Sequence, residues 1–313
     1  MPRPPQAWTE DELQRDADAA RQLFVSDRLA ALGRERAAYE AGIATHAEAV
    51  LELLARTSDL RRIDGNSLGK RDVLDSARYV VVPSISVDDL DTLTDSSFGR
   101  WVGQTTERGT RPSDQAFRAA AKIIRERLDR ERAPWLKSKR AATAPERDAF
   151  ARATASIRAM GAIQTARRME SSARQEQAAR EAARRARYKA VTPPATLTDP
   201  IKEMPPGSYA TASRRLAETN MDIPVRLKGG HGTGLLFLAL EAKVSNSALN
   251  SRKRLLEVLR KRERWDASGK LYRFRTGAVV AGVYDVRRLI EAQDAGVFLF
   301  WEHRLSDLTA LLR

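Results

Sequence analysis

The segment Asp222–Lys243, "DIPVRLKGGHGTGLLFLALEAK", decides how this chain folds. Leu235–Leu240 is apolar without interruption and should be buried, yet it runs straight into Glu241 and Lys243. The stretches flanking "KGGHGTG" are too close in sequence for a parallel crossover, so an antiparallel hairpin is expected. A turn centred between His231 and Gly232 places Asp222 opposite Glu241 at the open end. Glu241 and Lys243 are two positions apart and share one face of the strand. Two acids and an ammonium therefore converge at the mouth of the most hydrophobic strand.

Two carboxylates at close range repel, and burying them unpaired is costly. A hard divalent cation removes that penalty, and Mg²⁺ is typically held by one or two carboxylates together with phosphate oxygens and water. A charged lysine beside them cannot ligate the metal. It can orient or deprotonate a water, or stabilise charge on a phosphoryl group in transfer. This is equipment for metal-dependent phosphodiester hydrolysis. The plain alternative is a cross-strand salt bridge between Asp222 and Lys243.

The next residues favour the first reading. "VSNSALNSRKRLLEVLRKRERW" brings small hydrogen-bonding side chains into a basic helix expected over about Leu249–Trp265, with Leu249, Leu255, Leu256 and Leu259 on its apolar face. Asn and Ser suit base-edge or phosphate contacts, and Arg suits guanine and phosphate. The candidate DNA contacts are Ser245, Asn246, Ser247, Asn250, Arg252, Lys253 and Arg254.

Around this hairpin the pattern alternates. A helix is predicted over Tyr209–Glu218, then the two hairpin strands and the basic helix. A strand follows at Gly277–Val283, a helix at Val286–Ala292, a strand at Val297–Trp301 and a last helix at Leu305–Leu312. The expected fold class is α/β, a central mixed sheet flanked by helices, preceded by a mostly α-helical region. Five prolines within residues 193–206 mark a linker. The expected division is therefore a helical DNA-positioning or dimerisation domain at 1–192 and a catalytic core at 207–313.

In the helical part, Thr9–Glu12 and Thr143–Glu146 have capping-box spacing. "RYVVVPSISVDDL" contains a short β-branched run, read as a strand or an extended crossing stopped by Pro83. Ser86 is the expected cap of the helix that follows, and this accounts for Asp88, Asp89 and Asp91 as acids favourable to the helix dipole.

Lys and Arg number 55 against 41 Asp and Glu, a formal charge of +14. Residues 100–189 hold roughly two dozen of the bases against about ten acids, a distribution that suits a polyanionic partner. There is no cysteine, which excludes disulfides and thiolate metal sites. With no apolar leader and no run of membrane-spanning length, a cytoplasmic protein is expected.

Asp222 followed by Glu241-Ala242-Lys243, in this order of elements, resembles the PD-(D/E)XK nuclease superfamily. Together with "NMDIPVRL", "LFLALEAKVSNSALNSRKRL" and "VVVPSISVDDL", the chain is similar to the XamI-type restriction endonuclease family. The core motif covers about a third of the chain and the family likeness most of it. The resemblance implies a type II restriction endonuclease cutting double-stranded DNA. It implies that Asp222, Glu241 and the Ala242 carbonyl hold Mg²⁺ and that Lys243 serves the attacking water. Glu218 is a further candidate ligand. A twofold dimer is expected from cutting both strands, and a companion DNA methyltransferase is implied by the family. Met221 stands where the motif has proline, and Pro224 in the first strand argues for an edge or a bulge there.

A structure-selective or repair nuclease of the same superfamily and a non-enzymatic DNA-binding protein are the rival readings. "GNSLGK" is one residue short of a phosphate loop, and "GGHGTG" precedes a strand, so both read as turns. His231 at the hairpin tip is too far from the open end to serve the site. His46 and His303 have no partners at ligand spacing.

Overall fold

The structure is a computed structural model and describes residues 8–103, 111–216, 218–229, 235–267 and 274–313. His231 and the hairpin tip lie outside the described residues. The helical part contains α1 (Glu10–Arg56), α2 (Arg71–Ala77), α3 (Val87–Thr94), α4 (Phe98–Val102), α5 (Asp114–Glu126), α6 (Pro134–Lys137) and α7 (Ala144–Arg185). There follow β1 (Lys189–Val191), α8 (Pro200–Glu203), β2 (Ser208–Ala210), β3 (Arg214–Leu216) and β4 (Thr219–Met221). The remainder is β5 (Ile223–Arg226), β6 (Phe237–Ser245), α9 (Ala248–Ala267), β7 (Phe274–Gly282), α10 (Val286–Asp294), β8 (Phe298–Trp301) and α11 (Ser306–Leu312).

The local signals for helix starts act as expected. Thr9 and Glu12 form a reciprocal box, with Glu12 accepting from the Thr9 backbone N–H at 2.9 Å. Thr143 and Glu146 do the same at 2.8 Å. Ser86 accepts from the Asp89 N–H at 2.9 Å and caps α3. The β-branched run before it is not a strand: only Val81 forms a bridge, to Leu128.

The chain divides into two compact units, residues 1–31 with 167–313 and residues 32–166. This differs from the expected cut at the proline-rich segment. The reason is that packing, not punctuation, sets the division. Leu13, Ala17 and Ala20 of α1 share a core with Val280 of β7 and Trp301 of β8, and Ala179, Ala182 and Ala183 of α7 pack on the sheet. Both long helices therefore begin or end in the same unit as the sheet.

Residues 32–166 are helical around one core that includes Phe98, Trp101, Phe117, Trp135 and Phe150. Phe117 meets Phe98 and Trp101 edge to face at 5.2 and 5.3 Å, the geometry favoured by ring quadrupoles. Asp59 anchors one side of this core. Its carboxylate accepts from Arg147 at 2.7 and 2.9 Å and from the Ala142 N–H at 3.1 Å. The Trp135 indole donates to the Asp59 carbonyl at 2.8 Å.

The sheet unit has six strands in the order β1-β2-β5-β6-β7-β8, parallel except where β5 meets β2 and β6. Helices α7 and α11 pack on one face, while α9, α10 and the start of α1 cover the other. Strand β6 is central, and Phe237–Leu240 are buried on both faces, as a continuous apolar run demands. Gly282 ends the β6–β7 pairing with φ +92°, where a Cβ would collide with the Ser245 carbonyl.

The helix expected over Tyr209–Glu218 is instead β2, a bend and the β3–β4 hairpin. Its Ala, Arg and Glu content favours helix locally. Tertiary pairing overrides this, because Ser208 and Tyr209 pair with Arg226 and Val225 of β5 on one side and with β1 on the other. The β5–β6 hairpin keeps the expected register: Ile223 faces Leu240, Val225 faces Leu238 and Arg226 faces Phe237. Pro224 causes neither an edge nor a bulge, since it faces Ala239 within the ladder. Leu227 donates to the Leu236 carbonyl just before β6, so by alternation the Pro224 nitrogen points towards β2, whose pairing has already stopped at Val225.

Candidate active site

Asp222 and Glu241 flank the last β5–β6 pair, Ile223–Leu240, and both acids meet Lys243. Asp222 occupies the bend before β5, where its Oδ2 accepts from the Ala242 N–H at 2.9 Å. The same oxygen lies 3.6 Å from the Lys243 ammonium. Lys243 Nζ donates to Glu241 Oε2 at 2.9 Å. The cross-strand ion pair of the plain alternative is thus present, but it is one side of a larger cluster.

Glu241 has no exposed surface, and its second oxygen, Oε1, is buried with no hydrogen-bond partner. Burial first and the Asp222 carboxylate second push its pKa above the ordinary glutamate value. Burial works against the Lys243 charge, but Glu241 and then Asp222 outweigh it and hold the lysine above its ordinary value. A fully buried carboxylate with one oxygen unsatisfied is an expensive arrangement for mere structure.

Sequence reasoning missed Lys261. Its ammonium reaches from α9 to donate to Glu241 Oε2 at 2.6 Å and to the Asn220 carbonyl at 2.7 Å. It thereby ties the Glu241 carboxylate to the segment that carries Asp222. The signal was available: Lys261 lies three residues after Val258 and four before Trp265, both buried on α9. It was hidden in a basic run read as a DNA-contacting face.

Backbone positions are braced as well. Tyr284 Oη donates to the Lys243 carbonyl at 2.8 Å. Gln175 of α7, fully buried, donates to the Val279 carbonyl at 2.9 Å and to the Lys243 carbonyl at 3.4 Å. Arg180 donates to the Asp222 carbonyl at 3.3 Å and to Glu176 at 2.9 Å.

The other candidates separate. Glu218 is exposed in the β3–β4 turn with φ 63°, not at a helix end, and makes no contact with the acid pair among those described. Ser245 is buried and its hydroxyl donates to the Ser247 carbonyl at 2.8 Å, which corrects its assignment as a DNA contact. Ser247 Oγ accepts from the Asn250 N–H at 3.2 Å, a helix-start role for α9. Arg252 is exposed, whereas Asn246, Asn250, Lys253 and Arg254 line a cleft with Asp222, Ala242 and Lys243. The buried face of α9 is Ser251, Leu255, Val258 and Trp265, so Leu249, 84% exposed, and Leu256 do not belong to it.

Among the described residues no group of three or more His, Cys, Asp and Glu is placed to hold a metal. The donor set is instead two carboxylates, with an unpartnered oxygen on one of them, beside a backbone segment at Ala242. Hard oxygen donors of this number suit a divalent cation that keeps part of its water and takes the rest of its shell from a phosphate. The residues fit such a group. Among the described residues no helix is long and apolar enough to cross a membrane.

The sequence model of the XamI restriction endonuclease family matches residues 58–301 of this chain. The type II restriction enzyme XamI of Xanthomonas campestris pv. amaranthicola is 30% identical over 257 residues, 80% of this chain and 87% of that enzyme. No solved structure matches the chain.

Proposed function

The chain belongs to the XamI restriction endonuclease family, and from that premise we propose that it hydrolyses phosphodiester bonds of double-stranded DNA at a specific short sequence, using Mg²⁺. The observation that carries this reading is that Asp222 and Glu241, on either side of the last β5–β6 pair, both meet Lys243 while one Glu241 oxygen stays buried and unpartnered.

Asp222 and Glu241 are the proposed ligands, with the Ala242 carbonyl beside them. When bound, the cation supplies neutralisation of the phosphate and activation of water for in-line attack. Two carboxylates and two ammoniums cancel in formal charge, so the loaded site is cationic and complements a phosphodiester. Lys243 lies against both carboxylates and lines the cleft, where its ammonium can orient the attacking water and offset charge gathering on phosphorus. Asn246 and Asn250 are the proposed base-edge contacts, and Lys253 and Arg254 contact phosphate. Arg252 remains a proposed contact from the exposed side of α9.

Each chain carries one such cluster, so cutting both strands of a palindromic site calls for a twofold dimer. A methyltransferase protecting the same sequence is the functional companion of such an enzyme. Incubating purified protein with genomic and plasmid DNA in Mg²⁺, then sequencing the fragment ends, tests the reading. Discrete fragments sharing one end sequence are expected. Cleavage confined to junctions or free ends would identify a structure-selective nuclease instead, and no cleavage would refute the enzyme.

A further inference from the structure

A cleft of about 540 Å³ opens at the C-terminal end of β6, beside Lys243, and its lining is lopsided in charge. Arg28, Arg167, Arg168, Lys243, Lys253 and Arg254 all line it, and Asp222 is the only acid among its described lining residues. Among its described lining residues only Ala242 and Val244 are apolar. That is a poor chamber for a small apolar ligand, which would want hydrophobic walls. It suits an extended polyanion.

The α7 side of the cleft is ordered in a particular way. Arg167, Arg168, Ser171, Ser172 and Gln175 recur at helical spacing and form one face of α7. At the end of that face, buried Gln175 donates to Val279 and Lys243 carbonyls, so the helix is registered directly to the strand bearing the reactive ammonium. From α1, Arg28 reaches the same cleft with its guanidinium 5.0 Å over the Phe24 ring, which limits its freedom before any ligand arrives.

We propose that this face of α7, together with Arg28, is a clamp for the sugar–phosphate backbone of one DNA strand next to the cleavage point. The inference rests on the nuclease reading and adds to it a surface on a different element from the α9 contacts. At about 1.5 Å rise per residue, Arg168 lies roughly 10 Å along the helix from Gln175. Measured along the duplex axis, where one strand rises by roughly 3.4 Å per nucleotide, that is about three steps. The arginines therefore hold phosphates flanking the scissile one, and they recognise charge, not sequence. Such contacts bind ground state and transition state alike, so they act on affinity and KM and leave kcat and the end sequence of the fragments unchanged.

The test is fluorescence anisotropy with a labelled duplex of mixed sequence, over a series of KCl concentrations without divalent cation. Each phosphate left without its arginine lowers the log–log salt slope by about 0.9, so Arg167→Gln with Arg168→Gln should lower it by nearly 2. Affinity at low salt should fall at least about tenfold. Arg167→Lys with Arg168→Lys should restore most of the slope, and Arg287→Gln on the exposed surface of α10 should leave it at the wild-type value. Arg168→Gln alone, at an exposed position, repeats the test with half the effect should the double variant fold poorly.

A melting temperature equal to wild type together with an unchanged slope and affinity would overturn the clamp, and the nuclease reading would survive if the protein still cleaves. A slope reduced as expected in a protein that never cleaves would uphold the clamp and refute the nuclease. A wild-type protein that binds no duplex would end both.

Discussion

Two acidic side chains withdrawn from solvent, Asp59 in the helical unit and Glu241 in the sheet unit, are handled in opposite ways. Asp59 accepts from Arg147 with both oxygens and from the Ala142 N–H, and Arg147 above all holds its pKa below the ordinary aspartate value against the opposing effect of burial. Glu241 receives both its lysines on one oxygen, keeps the other unpartnered, and has its pKa pushed up by burial and Asp222. The first is a completed bracket for a core. The second leaves one oxygen open to a further donor or cation. Satisfaction of hydrogen-bonding capacity, more than burial, separates a structural carboxylate from one held in readiness.

The difference is broken most forcefully by neutralising each acid. Glu241→Gln should lower cleavage by about 10³-fold or more, since the charge of a proposed metal ligand is removed. Its melting temperature without metal should move less than that of an Asp59 variant, because desolvation already offsets what the lysines contribute. Plasmid nicking rates and a thermal melt in EDTA check both halves. A large melting shift with intact cleavage would make Glu241 the structural acid after all.

Asp59→Asn should do the reverse, costing about 2–3 kcal/mol of stability, as expected for hydrogen bonds to a charged group, while folded protein cleaves normally. The pH dependence has a definite sign. A lowered folded-state pKa gives stability that is present above the ordinary aspartate value and disappears as pH falls through the folded value. The melting-temperature gap between wild type and Asp59→Asn should therefore be full near neutrality and close below about pH 4. A gap independent of pH would mean that Asp59 packs without contributing charge.

Lys261→Met sharpens the contrast with the smallest effect. Removing the tie between Glu241 and the Asn220 carbonyl should loosen the acid pair and shift the Mg²⁺ midpoint by about tenfold, the range seen for residues that orient ligands. Lys261→Arg should recover part of it. Titration of metal-induced thermal stabilisation reads this without relying on turnover, and an unchanged midpoint would leave Lys261 as a solvated neighbour.

The parts of the site that follow from strand geometry were legible in the sequence. A two-residue period and a short turn fix which residues face each other, so Asp222, Glu241 and Lys243 could be brought together from spacing alone. Helix starts at Thr9, Ser86 and Thr143 were legible because a side chain and a backbone N–H three residues apart form a local unit. What depends on tertiary partners was not. Tyr209 sits in a segment with helical composition, and only β1 and β5 make it a strand. The prolines of 193–206 mark changes of direction, but they do not say that the ends of α1 and α7 pack with the sheet. Lys261 looks like any cation on a basic helix until Glu241 is set beside it. Ser245, attractive by residue type, is spent on its own chain.

Lys243→Ala tests the centre of this account most directly, measured as duplex binding and Mg²⁺-dependent cleavage on the same preparation. Binding should stay within a few fold of wild type, since one of several cations is removed, while discrete fragments should cease to form. Fragments accumulating at the wild-type rate would mean that the ammonium beside Asp222 and Glu241 takes no part in cutting DNA.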